Sequence, residues 1–362
     1  MRTTILAALS TVALASAADA QFVRCWGAGK ANTGGDPQFG QSAVPTDLGY
    51  YPVIGMDAGY AHTVTVDEEG TVRCWGQDFD GQCQVPSNLG TVIAVAAGTL
   101  HTAALRADGT VRCWGRNDSG QCNVPSGLAY VSAISASGFA TNALTSVGTV
   151  VSWGNCGNWA NGLYGVVAIS SGYWHSLALK SNGRVVSGCD TSSGGNVPVG
   201  LDGVVAIASG DFHAIALRAD GTVRAWGDNG YGECTVPADL GPTVAIAAGR
   251  HHSVALLANG TVRAWGDDRY GQCMIPAGLG TVSAIAAGGF HTVALSSVPS
   301  PRCPADFNND YFVDGTDLGT LLSSWGPCIT GAPICRADLD GNGIVNGDDL
   351  GSLLGSWGRC LD

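Results

Sequence analysis

TVRCWGQDFDGQCQVPSNLGTVIAVAAGTLHTAALRADG, running from Thr71 to Gly109, holds three kinds of segment. TVRCW alternates and is rich in strand formers. TVIAVAAG is a short apolar run ending at Gly98. HTAALRADG alternates again and ends in Asp108-Gly109, a hairpin signal leading into the next VRCWG. No helical period competes with this reading. Short strands separated by turn residues and repeated at a fixed period predict a radial array of small sheets.

Outward from this unit, Trp-Gly recurs at Trp26, Trp75, Trp114, Trp153, Trp226 and Trp265, with gaps of 49, 39, 39, 73 and 39 residues. The gap of 73 hides one degenerate unit, with Gly188 in the Trp slot. The gap of 49 marks an insertion within AGKANTGGDPQFG, Ala28 to Gly40. Seven units result. VRCWGxNxxGQC, followed by AIAAGxxHTxAL and xADGT, resembles the regulator-of-chromosome-condensation (RCC1) repeat, over about Phe22 to Ser296. The resemblance implies a seven-bladed β-propeller. The mature chain opens with a Trp strand, FVRCWG, and closes with a His strand, HTVALSSV, so the ring is expected to close by pairing the first strand with the last.

Six histidines share one repeat slot: His62, His101, His175, His213, His252 and His291, with Thr141 in the remaining unit. A side chain that recurs with the fold is read as structural, bonding a neighbouring turn; only His251 stands outside the slot. No nucleophile elbow, Walker loop, H-E-x-x-H pair or zinc-spaced Cys/His cluster occurs. The variable turn before each slot carries many aromatics. Tyr60, Phe139, Tyr173, Trp174, Phe212, Arg250, His251 and Phe290 are the candidate interface, because these turns emerge on one face of a propeller and rigid amphipathic side chains suit protein or sugar recognition. The insertion at Ala28 to Gly40 and GNCGNWANG, Gly154 to Gly162, are further candidate contact loops.

Thirteen cysteines are present. Most lie just before the Trp (Cys25, Cys74, Cys113) or in the GQC slot (Cys83, Cys122, Cys234, Cys273). Staples between neighbouring units are expected, Cys25 to Cys83, Cys74 to Cys122, Cys113 to Cys156 and Cys189 to Cys234; a Cys74–Cys83 bond is what that scheme forbids.

After a Pro/Ser linker the rule changes. Cys303 to Cys328 and Cys335 to Cys360 align without gaps at a period of 32 residues. Oxygen-bearing side chains fall at positions 1, 3, 5, 9 and 12 of a calcium loop, with a backbone carbonyl at position 7. In the first copy these are Asp306, Asn308, Asp310, Phe312 (carbonyl), Asp314 and Asp317; in the second, Asp338, Asp340, Asn342, Ile344 (carbonyl), Asn346 and Asp349. Gly343 supplies the sharp turn at position 6, where the first copy has Tyr311. Val313 and Val345, at position 8, are placed to pair the two loops. With Asp at position 12, an apolar helix (LGTLLSSWG, LGSLLGSWG) directly after and none before, each copy resembles half of a type I dockerin. That resemblance implies two calcium ions and docking into a cohesin-like or envelope protein. Four cysteines flank the halves, and Cys303–Cys360 with Cys328–Cys335 is the favoured pairing.

The N-terminus has Arg2, an apolar segment from Ile5 to Ala17 and Ala18-Asp19-Ala20, read as a secretory signal peptide cleaved after Ala20. No segment is long enough to span a bilayer. A formal net charge of −12 without a Lys/Arg run gives no basis for binding nucleic acid. The expected organisation is a signal peptide over 1–20, an all-β propeller over 21–298, a linker over 299–302 and a small helical dockerin-like domain over 303–362. The expected function is that of a secreted or surface-attached, non-enzymatic protein binding a protein or glycan through its propeller face, calcium being its cofactor. A polysaccharide-associated enzyme carried by a dockerin is the alternative.

Overall fold

The structure is a computed structural model describing residues 22–297 and 305–359, apart from 31, 36, 46–47, 49–51, 190–193, 306, 308–311, 329–336 and 341. The signal peptide, the linker, Asp306, Asn308, Asp310, Tyr311, Cys303, Cys335 and Cys360 therefore lie outside the described residues. The chain divides into two compact units, Met1–Ser297 and Val298–Asp362.

Among its described residues the first unit has seven three-stranded antiparallel sheets, beside one short hairpin in the Ala28–Gly40 insertion. Six sheets are consecutive in sequence, as in Val92–Ala97, His101–Arg106 and Val111–Gly115. The seventh joins the two ends: Phe22–Gly27 pairs with His291–Ser296, Phe22 opposite Ser296 and Gly27 opposite His291, and Val282–Ala287 completes it. First strands meet in cyclic order, and Val282–Ala287 touches Val53–Ala58 to close the circuit. Closure is visible in the glycines that end these strands. A Cβ on Gly288 would lie 2.5 Å from the Gly59 carbonyl oxygen, across the seam, and the neighbouring Gly289 N–H donates to that same oxygen at 3.0 Å. Only a hydrogen fits there.

The Trp-Gly pair has two separate causes. The indole is buried between sheets, and Trp75, Trp114, Trp153 and Trp265 donate Nε1–H to the carbonyls of Gln41, Gln82, Gln121 and Glu233 at 2.8–2.9 Å. The glycine takes a left-handed φ, +110° at Gly76 and +100° at Gly115, facing the carbonyl of the residue before the His slot, so a side chain is excluded twice.

The recurrent histidines join neighbouring sheets. Nε2 of His62, His101, His213, His252 and His291 lies 2.8–3.2 Å from the hydroxyl of Thr102, Thr141, Ser253, Thr292 and Thr63. Each hydroxyl donates in turn to the carbonyl that anchors a Trp. The hydroxyl's proton is thereby used, so the imidazole is the donor and is held as the neutral Nε2–H tautomer. Thr141 is thus not in the His slot. It pairs with Trp153 as Thr102 pairs with Trp114, and Ala140, opposite Gly154, occupies the slot. Ala140 lies one 39-residue period after His101, so the repeat itself places it there and Thr141 falls one position beyond.

The degenerate unit is repaired from outside its slot. A Cβ on Gly188 would overlap the ring of Trp159, which supplies the missing indole and donates Nε1–H to Asn142 Oδ1 at 2.9 Å. A Cys156–Cys189 disulfide ties the loop to the strand. Trp159 and Cys156 thus make GNCGNWANG a structural graft on the degenerate unit. Cys74 and Cys83 are also bonded, within one unit, which overturns the staples expected between units. The Trp-side Cys projects toward its own GQC turn, as the Cys74 Sγ distance of 3.6 Å to the Gln82 carbonyl shows. Cys25, Cys113, Cys122, Cys234 and Cys273 carry free thiols.

The second unit holds two nine-residue helices, α1 (Gly315–Ser323) and α2 (Gly347–Gly355), each opened by a capping box. Phe312–Val313 pairs with Gly358–Arg359, and Gly326–Pro327 with Ile344–Val345. Val313 and Val345 are thus not ladder partners of each other; each pairs with the strand after a helix. They meet in the core instead, with Leu321, Leu353 and Phe307.

Candidate interaction surfaces

On the first unit, the turns preceding the His slots bring their aromatics into contact. Tyr60 packs edge-on against Phe290 (5.0 Å between ring centroids), Phe139 against Tyr173 (5.5 Å) and Tyr173 against Trp174 (4.9 Å), while Phe212 stacks on His251 (5.1 Å). The Arg250 guanidinium lies over both Tyr60 and Phe290, and its Nη1 donates to the Tyr60 hydroxyl at 3.2 Å. These contacts hold the rings in place before any partner arrives, which lowers the ordering cost of binding. Trp174 is 44% exposed and Phe290 only 6%. Phe290 is therefore a floor beneath Tyr60, Tyr270 and Arg250 and not a contact residue, a correction to the sequence reading.

A second set of loops, those following Trp-Gly, adds side chains the sequence reading omitted. Tyr270 packs on Phe290, Tyr231 on His251 and Phe79 on Phe39. The guanidinium groups of Arg116 and Arg269 lie over Phe139 and Tyr231. The signal was present in the aromatic that directly precedes the glycine of the GQC slot in DNGYGEC and DDRYGQC.

A cavity of about 370 Å³ is lined by first strands of the sheets and by Tyr60, Asp211 and Arg250. Burial raises the Asp211 carboxyl to about 6 against the opposing pull of Arg250, whose Nε lies 3.9 Å away. Burial also raises the Asp57 carboxyl to about 6, although it accepts the N–H groups of Ala58 and, in the next sheet, Ala97. Asp57 thus fastens two sheets, as Ser135 and Ser170 do by accepting the N–H groups of Ser171 and Ser209.

In the second unit, Asp317 and Asp349 are fully buried at the helix starts. Asp317 accepts the N–H groups of Phe307 (2.7 Å) and Asp314 (3.1 Å). Asp349 accepts those of Leu339, Asp340 and Asn346, which outweigh burial and hold its carboxyl below the usual range. In the second loop, oxygens of Asp338, Asp340 and Asp349 lie within 4.8 Å of one another, a set able to surround a cation. Asn342 turns its Oδ1 to the Ile344 N–H, and Asn346 caps α2. In the first loop Asp314 caps α1. Leu321 and Leu353 are buried, whereas Leu322, Trp325, Leu354 and Trp357 are 50–51% exposed at matching positions of the two halves.

Five stretches of the chain, 53–82, 92–121, 166–187, 204–233 and 244–272, match the family described as the Regulator of chromosome condensation (RCC1) repeat. No curated protein matches the sequence. Among solved structures, Prp20p from Saccharomyces cerevisiae is similar at 19% identity and a TM-score of 0.65, over 81% of this chain and 94% of that one. Human WBSCR16 is similar at 18% identity and 0.60, over 76% and 99%. The ectodomain of the receptor kinase CR4 from Physcomitrella patens is similar at 22% and 0.59, over 68% and 71%. At these identities the likeness speaks for the fold. With those five stretches matched in sequence and the sheets matched in space, the first unit of this chain is similar to RCC1 repeats and has the fold of an RCC1-like β-propeller.

Proposed function

We propose that this protein is an exported, non-enzymatic binding protein. Its seven sheets act as the blades of a propeller whose aromatic and arginine-bearing face holds a protein or glycan, and its C-terminal unit, folded around two calcium ions, attaches it to a cohesin-like scaffold or envelope protein. The observation that carries the reading is the linked set of Tyr60, Arg250, Phe139, Tyr173, Trp174 and His251 on variable turns, rigid before binding and drawn from several repeats. The solved relatives favour it: Prp20p is described with binding to Gsp1p and histones, and CR4 uses the fold in an ectodomain. Among the described residues no helix is long and apolar enough to cross a membrane.

The duplicated 12-position spacing, the grouped carboxylates of the second loop and the resemblance to type I dockerins support the calcium role. Each copy's residues at positions 1, 3, 5, 9 and 12 hold the ion with side-chain oxygens, the position 7 carbonyl adds one more, and binding fixes the helix that follows. Leu322 with Trp325, and Leu354 with Trp357, then offer two like apolar contacts for a docking partner.

The test is capture from the host's envelope fraction on the full chain, with calcium and with a chelator, alongside glycan and peptide arrays. A partner lost on chelation and on Trp325→Ala/Trp357→Ala supports the dock. The same partners in both conditions, or release of reducing sugar from polysaccharide, would overturn the reading.

A further inference from the structure

The repeat makes departures from it visible. The residue before the GQC-slot cysteine is Gln82, Gln121 and Gln272 in three units, with Gln41 before Ser42, and Glu233 in one. The glutamines share one task. Oε1 of Gln82, Gln121 and Gln272 accepts the N–H of the residue two positions earlier, from Asp80, Ser119 and Tyr270, at 2.9–3.0 Å. Glu233 Oε2 performs it as well, from Tyr231 at 2.8 Å. The fold therefore gains nothing from a carboxylate at this position, yet it carries one on a residue that is 0% exposed. No lysine or arginine among the described residues pairs with it; nearby Arg269 is bonded to Asp267.

The second oxygen, Oε1, faces Nδ1 of His251 at 3.3 Å. His251 is the histidine outside the repeated slot. Its ring is oriented from two sides, by Phe212 at 5.1 Å and Tyr231 at 4.6 Å. Its carbonyl accepts the Asp267 N–H at 2.8 Å, which fixes the turn. Asp228, from the start of the same loop as Glu233, completes the group: one ligand atom from each of Asp228, Glu233 and His251 lies within 4.8 Å of the others. Two carboxylates and one imidazole, contributed by two turns, converge; the repeat asks for neither the Glu233 carboxylate nor the His251 ring, while Asp228 Oδ1 also accepts the N–H groups of Asn229 and Gly230.

We propose that Asp228, Glu233 and His251 form a binding site for one Zn²⁺ ion on the propeller. An imidazole with carboxylates suits zinc better than calcium or magnesium, which prefer oxygen throughout. Zinc takes such ligands at ~2.0–2.2 Å in a tetrahedron, three from the protein and one position open. The exposed Asp228 side chain can swing inward to close the set, whereas Glu233 and His251 are already held. The ion would neutralise the buried carboxylate and leave an open coordination position beside Tyr231 and Phe212. The site is independent of the C-terminal calcium loops and of any partner, so its test stands apart from the proposed function.

The full chain is titrated with Zn²⁺ against a chromogenic chelator in saturating Ca²⁺. One Zn²⁺ per chain is expected, together with a visible ligand-field band when Co²⁺ replaces it. Glu233→Gln restores the residue of the other repeats, so it should fold as the parent does while weakening Zn²⁺ at least 10-fold and abolishing the band. Asp228→Asn, at an exposed position, should also weaken binding and carries the test if the first variant fails to fold. Absence of binding, or equal binding by the parent and both variants, would show an imidazole–carboxylate hydrogen bond only and overturn the proposal.

Discussion

Thr292 accepts the Nε2 proton of His252 at 3.1 Å and passes its own proton to the Gln272 carbonyl at 2.8 Å. Replacing it with Val keeps the shape and removes both functions. The carbonyl retains its bond from Trp26 Nε1 at 3.0 Å, but a buried imidazole N–H is left unpaired. Thr292→Val should therefore cost about 1–3 kcal/mol in denaturant unfolding, whereas Thr292→Ser should cost well under half of that. The same histidines set an acid limit. Burial lowers His62, His213 and His291 to about 3 and His101 and His252 to about 4. Below the unfolded value of about 6.5 the unfolded chain takes up five protons that the folded chain refuses, so stability falls as pH falls. Asp57 and Asp211, raised to about 6, act in the opposite sense because the folded state protonates first. The net of three protons gives a loss of at most about 4 kcal/mol per pH unit near pH 5. Thermal melting between pH 7 and 4.5, in chelating buffer so that calcium plays no part, checks this; a flat profile would contradict the assigned tautomers.

At the scale of single elements, the Cys74–Cys83 bond closes a short loop within one unit, spanning nine positions from strand to turn. A loop of that length restrains the unfolded chain by roughly 2–3 kcal/mol. Cys74→Ser/Cys83→Ser should lose about that much, and peptide mapping without reduction should recover the linked pair. A Cys74–Cys122 peptide in its place would mean that neighbouring sheets are stapled after all. The degenerate unit shows how the repeat tolerates error. Where Gly188 has replaced the tryptophan, an indole from a different loop fills the hole and a disulfide holds that loop down. Packing density is restored although the sequence slot is empty.

The whole ring depends on one antiparallel pairing between strands almost a full chain apart, Phe22–Gly27 with His291–Ser296. Trp26 is 2% exposed and belongs to the core shared with Leu279, Val282 and Val254. Deleting residues 22–27 would expose that core and leave His291–Ser296 as an open edge. The truncated protein should melt at least 10 °C lower and aggregate on concentration, as read by calorimetry and light scattering. An unchanged melting temperature would mean that the seam contributes nothing. The second unit has its own core of Val313, Leu321, Val345 and Leu353, so its melting is expected to follow calcium and not the seam.

The strands, the turns, the seven units and the seam were legible in the sequence, because a 39-residue repeat makes every position report seven times and because strand alternation and Asp-Gly turns are local signals. The spacing of oxygens in the tail was legible for the same reason, being duplicated. The place of Ala140 in the His slot was legible too, one period after His101, although residue type alone points to Thr141. Two things were decided only in space. The disulfide partners depended on the direction of the Cys74 side chain, since a bond requires two sulfurs to meet and sequence gives only their spacing. The meeting of Glu233 with His251, eighteen positions apart, arose because the loop after Trp226 and the turn before His252 hold both side chains at once. Sequence period dictates the elements because their forces act between near neighbours; packing dictates the sites because those forces act between side chains that only the folded turns and sheets bring together.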